Sequence, residues 1–111
     1  MTDAFIFDSV RSPRGRGKKD GSLHPVTPVN LLTQMLVALR ERNEFDVTAV
    51  DDVITGCVTA VGEQGGDIGR FAAIMADYSD SVPGVHVNRF CASGLVAANY
   101  AAARVMAGQD D

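Results

Sequence analysis

Asn88-Arg89-Phe90-Cys91-Ala92-Ser93-Gly94 sets a single cysteine where a short apolar strand gives way to a helix. The first turn of a helix gathers unpaired N–H groups and the positive end of the peptide dipoles. A thiol held there is favoured as thiolate and becomes a better nucleophile near neutral pH. Its neighbours Ala92 and Gly94 are small, so a carbonyl carbon can approach the sulfur without meeting side chains. The chemistry that fits is covalent acyl transfer through a thioester on Cys91. The bland alternative is a small buried hydrophobe, the ordinary role of a lone cysteine. The helix-start position, and the apolar helix behind it, favour the nucleophile.

Other residues capable of chemistry carry weaker signals. Cys57 lies mid-strand and reads as a core residue; the two cysteines form no Cys-x-x-Cys pair, and no metal-ligand spacing surrounds His24 and His86. A disulfide scaffold and a metal site are therefore not expected. His86 alternates with Val85 and Val87 and reads as a core or interface histidine, while His24 sits beside Pro25 in a loop. Neither pairs with Cys91 by spacing. Arg11, Arg14, Arg16, Lys18 and Lys19 are half of the chain's ten Lys and Arg. They form either a patch for phosphates or an acidic partner, or a solvated loop; Arg11 is the one expected to have a fixed structural partner. Gln64-Gly65-Gly66-Asp67 is read as a flexible loop rather than an anion cradle. Asn88 is expected to orient the turn ahead of the cysteine by bonding to backbone.

The elements that position these residues follow from periodicity. Ala4 to Val10, with Phe5, Ile6 and Phe7, reads as a buried strand, and Arg11 to Ser22 as a Gly- and Pro-rich loop. Thr27-Pro28 opens an amphipathic helix to about Arg42, with Val29, Leu32, Met35, Leu36 and Leu39 at spacings of three and four. Asp52 to Val58 is a strand apolar on both faces, as in a parallel sheet covered by helices. Asp67 caps a helix whose Ile68, Phe71 and Met75 share a face. Val85 to Val87 is a third strand. Gly94 to about Ala107 is apolar or small almost all round, which predicts a helix packed on all sides. The alternation predicts an α/β fold with a sheet between helix layers. A single unit of 111 residues has trouble enclosing such a helix. The expected cover is further chain, a second subunit, or both.

Composition narrows the class. The chain is 46% hydrophobic and 22% charged, as in ordinary globular domains, and its net charge of −4 gives no support to nucleic-acid binding. No apolar run approaches the roughly 20 residues of a membrane span, and no secretory signal opens the chain. A reducing, cytoplasmic setting is expected. The ending at Gly108-Gln109-Asp110-Asp111 falls where a further strand is expected to begin.

Four motifs in order carry a family resemblance along nearly the whole chain. Asn88 to Leu95 resembles the nucleophile motif of thiolases, the acetyl-CoA C-acyltransferases. Arg11-Ser12-Pro13-Arg14-Gly15 resembles the family's strand-end turn, Asp51 to Val58 its second strand, and Glu63 to Arg70 the loop and helix that follow. The phrasing is most similar to bacterial 3-ketoacyl-CoA thiolases, including β-subunits of fatty-acid oxidation complexes.

The resemblance implies a thiolase-like fold. Residues 1–111 are then the first βαβαβα run of its N-terminal half, with a buried helix after the nucleophile and the later strands and C-terminal half absent. It implies Cys91 as the acyl-accepting nucleophile, acyl-CoA and CoA as substrates, CoA acting as co-substrate, and no further cofactor. The family's activating His, second Cys and CoA-binding loop lie downstream, so none of those roles is carried to His24, His86 or Cys57. The 111 residues alone are expected to be inactive. The resemblance further implies a homodimer or homotetramer through the Val85–Asn88 strand, and an α-subunit of a fatty-acid oxidation complex as a partner. Two other readings remain: a related condensing enzyme that builds carbon chains from the same thioesters, and a non-catalytic thiolase-like assembly or binding subunit completed by a partner chain.

Overall fold

A computed structural model describes residues 2–111. The chain forms helix α1 (Pro28–Asn43), strand β1 (Val53–Gly56), helix α2 (Ile68–Met75), strand β2 (Gly84–Val87) and helix α3 (Ser93–Met106), with short 3-10 turns at Val47–Ala49 and Gly62–Gln64. Strands β1 and β2 are parallel, in the register Val53 to Gly84 through Gly56 to Val87. The expected α/β architecture is thus formed around a two-stranded parallel sheet.

Two of the helix starts read from the sequence are built as expected. The Thr27 hydroxyl oxygen accepts the Asn30 N–H at 3.3 Å, with Pro28 in the first turn of α1. The Asp67 carboxylate accepts the Arg70 N–H at 3.1 Å and caps α2. A carboxylate of the protein itself occupies that helix start, which leaves no anion cradle there.

Successive residues of a strand face opposite sides of a sheet. Side chains on the Val53–Thr55 face of β1 meet α2, whose Gly69 lies against Thr55 and the Val53 carbonyl oxygen. Gly56, on the opposite face, meets the start of α3. The sheet is therefore layered between α2, with α1 behind it, and α3. The core lies on the α1–α2 side, where Leu36, Val53, Ala72, Ala73, Tyr78 and Val82 pack together. Tyr78 donates its hydroxyl proton to the Leu36 carbonyl at 3.0 Å, and the Arg40 guanidinium donates to the Ala76 carbonyl, so both tie α1 to the end of α2.

Five expectations need correction. Ala4–Val10 is not a ladder-forming strand. Phe5, Ile6 and Phe7 are 72%, 91% and 93% exposed, and the segment lies beside the end of α1, where Asn43 donates to the Asp8 carboxylate at 2.7 Å. An apolar run becomes a strand only where a neighbour supplies ladder bonds, and among the described residues β1 pairs with β2 alone. The observed order is accordingly αβαβα.

On α2 the buried residues are Ile68, Gly69, Ala72 and Ala73, whereas Phe71 and Met75 are about half exposed. Close approach of the helix at Gly69 selects small side chains for the sheet face. The strand expected over Asp52–Val58 is shorter, with β1 running over Val53–Gly56.

Helix α3 is covered on one flank within these residues. Ser93 and Ala97 are buried against the sheet, while Leu95 is 66% exposed. The sheet covers one flank, and the other is left largely open among the described residues, so the all-round enclosure expected from its composition is not met there. Arg11, finally, is exposed and makes no ion pair or side-chain hydrogen bond among the described residues, against the expectation of a fixed partner.

Candidate active site

Cys91 stands exposed in the turn between β2 and α3, and Cys57 is buried at 5% exposure. The sequence reading of the two thiols, one presented and one in the core, matches this placement. Cys57 Sγ lies 3.8 Å from Gln64 Oε1, and its backbone N–H continues the ladder to the Val87 carbonyl at 3.0 Å.

The turn that presents Cys91 is held by side chains. Phe90 has φ of 46°, in the left-handed region. For a residue other than glycine that conformation costs about 1–2 kcal/mol. Asn88 Oδ1 accepts the Phe90 N–H at 2.9 Å, and Asn88 Nδ2 donates to the Val58 carbonyl at 3.2 Å. The expected backbone-orienting role of Asn88 is therefore visible in both halves of its amide. From the other side, Ser93 Oγ accepts the Arg89 N–H at 2.8 Å and donates to the Phe90 carbonyl at 2.7 Å. Ser93 is 4% exposed, so this pair of bonds is partly buried.

Helix α3 starts differently from α1 and α2. Its cap residue, Ala92, has no side chain able to accept, and no side-chain cap bond forms. The Ala92 and Ser93 N–H groups donate to the Arg89 and Phe90 carbonyls at 3.0 and 3.1 Å. Those of Cys91, Gly94 and Leu95 have no acceptor among the described residues. The turn thus combines an exposed thiol, unpaired donors and the positive end of a 14-residue helix. That set can stabilise negative charge developing beside the sulfur.

Gly94 also borders a cleft of about 580 Å³ that runs along β1 between α1 and α3, lined by Leu31, Met35, Ile54, Cys57, Gln64 and Ala98 among others. Cys91 itself lies outside that cleft. His86 is half-buried within β2 opposite Thr55, and His24 is exposed in the loop before α1. Neither touches Cys91 by hydrogen bond. Arg16, Lys18, Lys19 and His24 border a separate concavity of about 560 Å³. Among the described residues no three His, Cys, Asp or Glu side chains gather to hold a metal, and no helix is long and apolar enough to cross a membrane.

Sequence reasoning missed Ser93, Phe90 and Gly56. A serine two residues past the cysteine, inside the first turn of the helix, is a signal for a side chain bonding back to the preceding turn. A glycine inside a strand signals close approach of another backbone. For Phe90 the sequence carries no signal, because nothing local marks a phenylalanine for the left-handed region.

Comparison with known proteins shows the family. Residues 4–111 match the family model described as thiolase, N-terminal domain. The chain is 41% identical over 111 residues to the steroid 3-ketoacyl-CoA thiolase FadA6 of Mycobacterium tuberculosis, covering 100% of this chain and 27% of that protein. It is 41% identical over 109 residues to a 3-ketoacyl-CoA thiolase of Acinetobacter baylyi, covering 98% and 28% respectively. The corresponding figures for the 3-ketoacyl-CoA thiolase of Psychrobacter arcticus are 40% over 109 residues, 98% and 28%. The chain therefore spans little more than a quarter of the length of these relatives.

Proposed function

The chain belongs to the thiolase family, a family of acyltransferases, and from that membership we propose that it is the N-terminal, nucleophile-bearing part of a 3-ketoacyl-CoA thiolase. The observation that carries this reading is the exposed Cys91 in a braced turn at an uncapped helix start.

In the degradative direction the Cys91 thiolate attacks the 3-keto carbonyl of a 3-ketoacyl-CoA. A C–S bond forms, the bond between the α and β carbons breaks, and the departing carbanion takes up a proton to leave as acetyl-CoA. The acyl thioester on Cys91 then passes to the sulfur of a second CoA, which restores the thiol. The oxyanion formed at each attack needs donors already in place, each worth about 10²–10³ in rate. Unpaired N–H groups in the Cys91–Leu95 turn support that role. The base that activates the thiol, and the acid that protonates the carbanion, come from other parts of the protein, since no titratable side chain hydrogen-bonds Cys91 among the described residues. CoA is a co-substrate, and this chemistry needs no metal or prosthetic group.

The pathway we infer is fatty-acid β-oxidation or acetoacetyl-CoA metabolism. The assembly is a homodimer or homotetramer through Val85–Asn88. In support, β2 pairs with β1 on one edge, and its other edge meets no strand among the described residues. The α-subunit of a fatty-acid oxidation complex is a further partner in this reading. Free Cys57 and Cys91 support a reducing, cytoplasmic setting.

Intact mass spectrometry of the whole protein mixed with acetoacetyl-CoA tests the reading. An acetyl adduct on wild type that disappears in Cys91→Ser supports it. An adduct retained in Cys91→Ser would assign the chemistry to another residue.

A further inference from the structure

Phe90 holds a conformation that it does not adopt unaided, and it immediately precedes the reactive sulfur. Two side chains from opposite sides of the turn keep it there. Asn88 bonds the Phe90 N–H and anchors itself to the Val58 carbonyl, on the segment that leaves β1. Ser93 bonds the Phe90 carbonyl and the Arg89 N–H from within the first turn of α3. Both backbone polar groups of Phe90 are thus engaged by side chains, one from the sheet side and one from the helix side. The Phe90 ring, 77% exposed, takes no part in holding the turn.

We propose that Asn88 and Ser93 are positioning residues for the Cys91 nucleophile. They lock Phe90 in its left-handed conformation and so set the direction in which the thiol and the adjacent N–H groups leave the turn. Neither residue needs to touch substrate. The inference rests on the proposed acyl transfer at Cys91 and names residues on which that site depends. Its physical content is a population. Loss of either brace lets a left-handed phenylalanine relax toward the ordinary regions, by a factor of up to about 10 in all. Only the minor fraction with the thiol correctly aimed then reacts at the normal rate.

The test is a double-mutant cycle in the whole protein, reading the rate of Cys91 acylation by acetoacetyl-CoA with rapid quenching and intact mass. Ser93→Ala and Asn88→Ala should each lower the maximal acylation rate by up to about tenfold, leaving unchanged the acetoacetyl-CoA concentration for half-maximal rate. In a Phe90→Gly background the left-handed region is free of the side-chain penalty, so the same two substitutions should each cost less than about threefold. A merely structural role for Ser93 or Asn88 predicts equal losses in both backgrounds, and that result overturns the proposal. Unchanged acylation in both single variants does the same. Asn88 is exposed, so Asn88→Ala carries the test if Ser93→Ala fails to fold. A wild-type protein that never acquires an adduct defeats the acyl-transfer reading itself, and this inference with it.

Discussion

Gly56 of β1 and Gly94 of α3 meet backbone to backbone. A Cβ built on Gly56 falls inside contact distance of the Gly94 nitrogen and the Ser93 carbonyl carbon. The start of α3 is therefore seated directly on the strand, with no side chain between them. A β-carbon on the Gly94 side meets nothing within 4 Å, so the requirement for glycine belongs to Gly56 alone.

Gly56→Ala should lift the first turn of α3 from the sheet. The colliding atoms are backbone, which cannot rotate away, so the expected cost is about 1–3 kcal/mol. Chemical denaturation measures it. The acylation rate at Cys91 should fall with it, because Ser93 moves with the helix start. A stability unchanged within 0.5 kcal/mol, roughly the scale of a neutral surface substitution, would contradict the close contact.

Iodoacetamide near pH 7 should label Cys91 well before Cys57. Cys91 is exposed, and Cys57 is 5% exposed beneath Gln64. Peptide mapping after brief exposure reads the ratio. Equal labelling would mean that the Cys57 region opens on the timescale of the reaction.

Tyr78→Phe removes the hydroxyl that bonds the Leu36 carbonyl at 3.0 Å. Burial raises the Tyr78 phenol above its ordinary value, with Arg40 opposing the shift, so it stays protonated and able to donate at neutral pH. The expected loss is about 0.5–1.5 kcal/mol, the net worth of a hydrogen bond. Urea unfolding of the two forms measures it.

Acid should release the N-terminal segment from α1. The Asp8 carboxyl is held below its ordinary value of 3.8, first by the Asn43 amide, then by the Ser9 N–H and the Arg42 charge. A lowered folded-state pKa stabilises the contact above pH 3.8 and loses that contribution as pH falls through the folded value. Amide exchange or carboxyl NMR between pH 5 and pH 2, roughly the range over which a paired Asp is titrated, follows the release. Loosening that begins above pH 5, or roughly a unit above an ordinary Asp, would point to another group.

The 111-residue polypeptide alone should show no thiolytic turnover, since no acid or base side chain hydrogen-bonds Cys91 among the described residues. An assay of 3-ketoacyl-CoA and CoA-thiol consumption, run beside the whole protein, checks this. Turnover by the isolated polypeptide would overturn the need for groups from elsewhere in the protein.

Local signals were enough for much of this. Thr27-Pro28 and Asp67 announce helix starts because a capping bond closes within three residues. Asp52–Val58 and Val85–Val87 read as strands through their apolar residues, and the parallel ladder forms there, at Val53–Gly56 and Gly84–Val87. The helix-start context marks Cys91 as the presented thiol, and the absence of comparable context marks Cys57 as core. Contacts distant in sequence were not legible. The strand expected at Ala4–Val10 lacks a ladder neighbour. The sheet face of α2 falls on Gly69, Ala72 and Ala73 because the sheet lies too close for Phe71 or Met75.

The sequence by itself determined which residue types stand around the thiol and which helices and strands carry them, since capping, periodicity and the motif are all properties of neighbours along the chain. Tertiary structure alone decided that Gly56 is the seat of α3 and that Asn88 reaches across to Val58. It also decided that Phe90 is held left-handed between Asn88 and Ser93. A backbone dihedral and a cross-chain hydrogen bond depend on where distant segments come to rest, and the linear order of residues leaves that to packing.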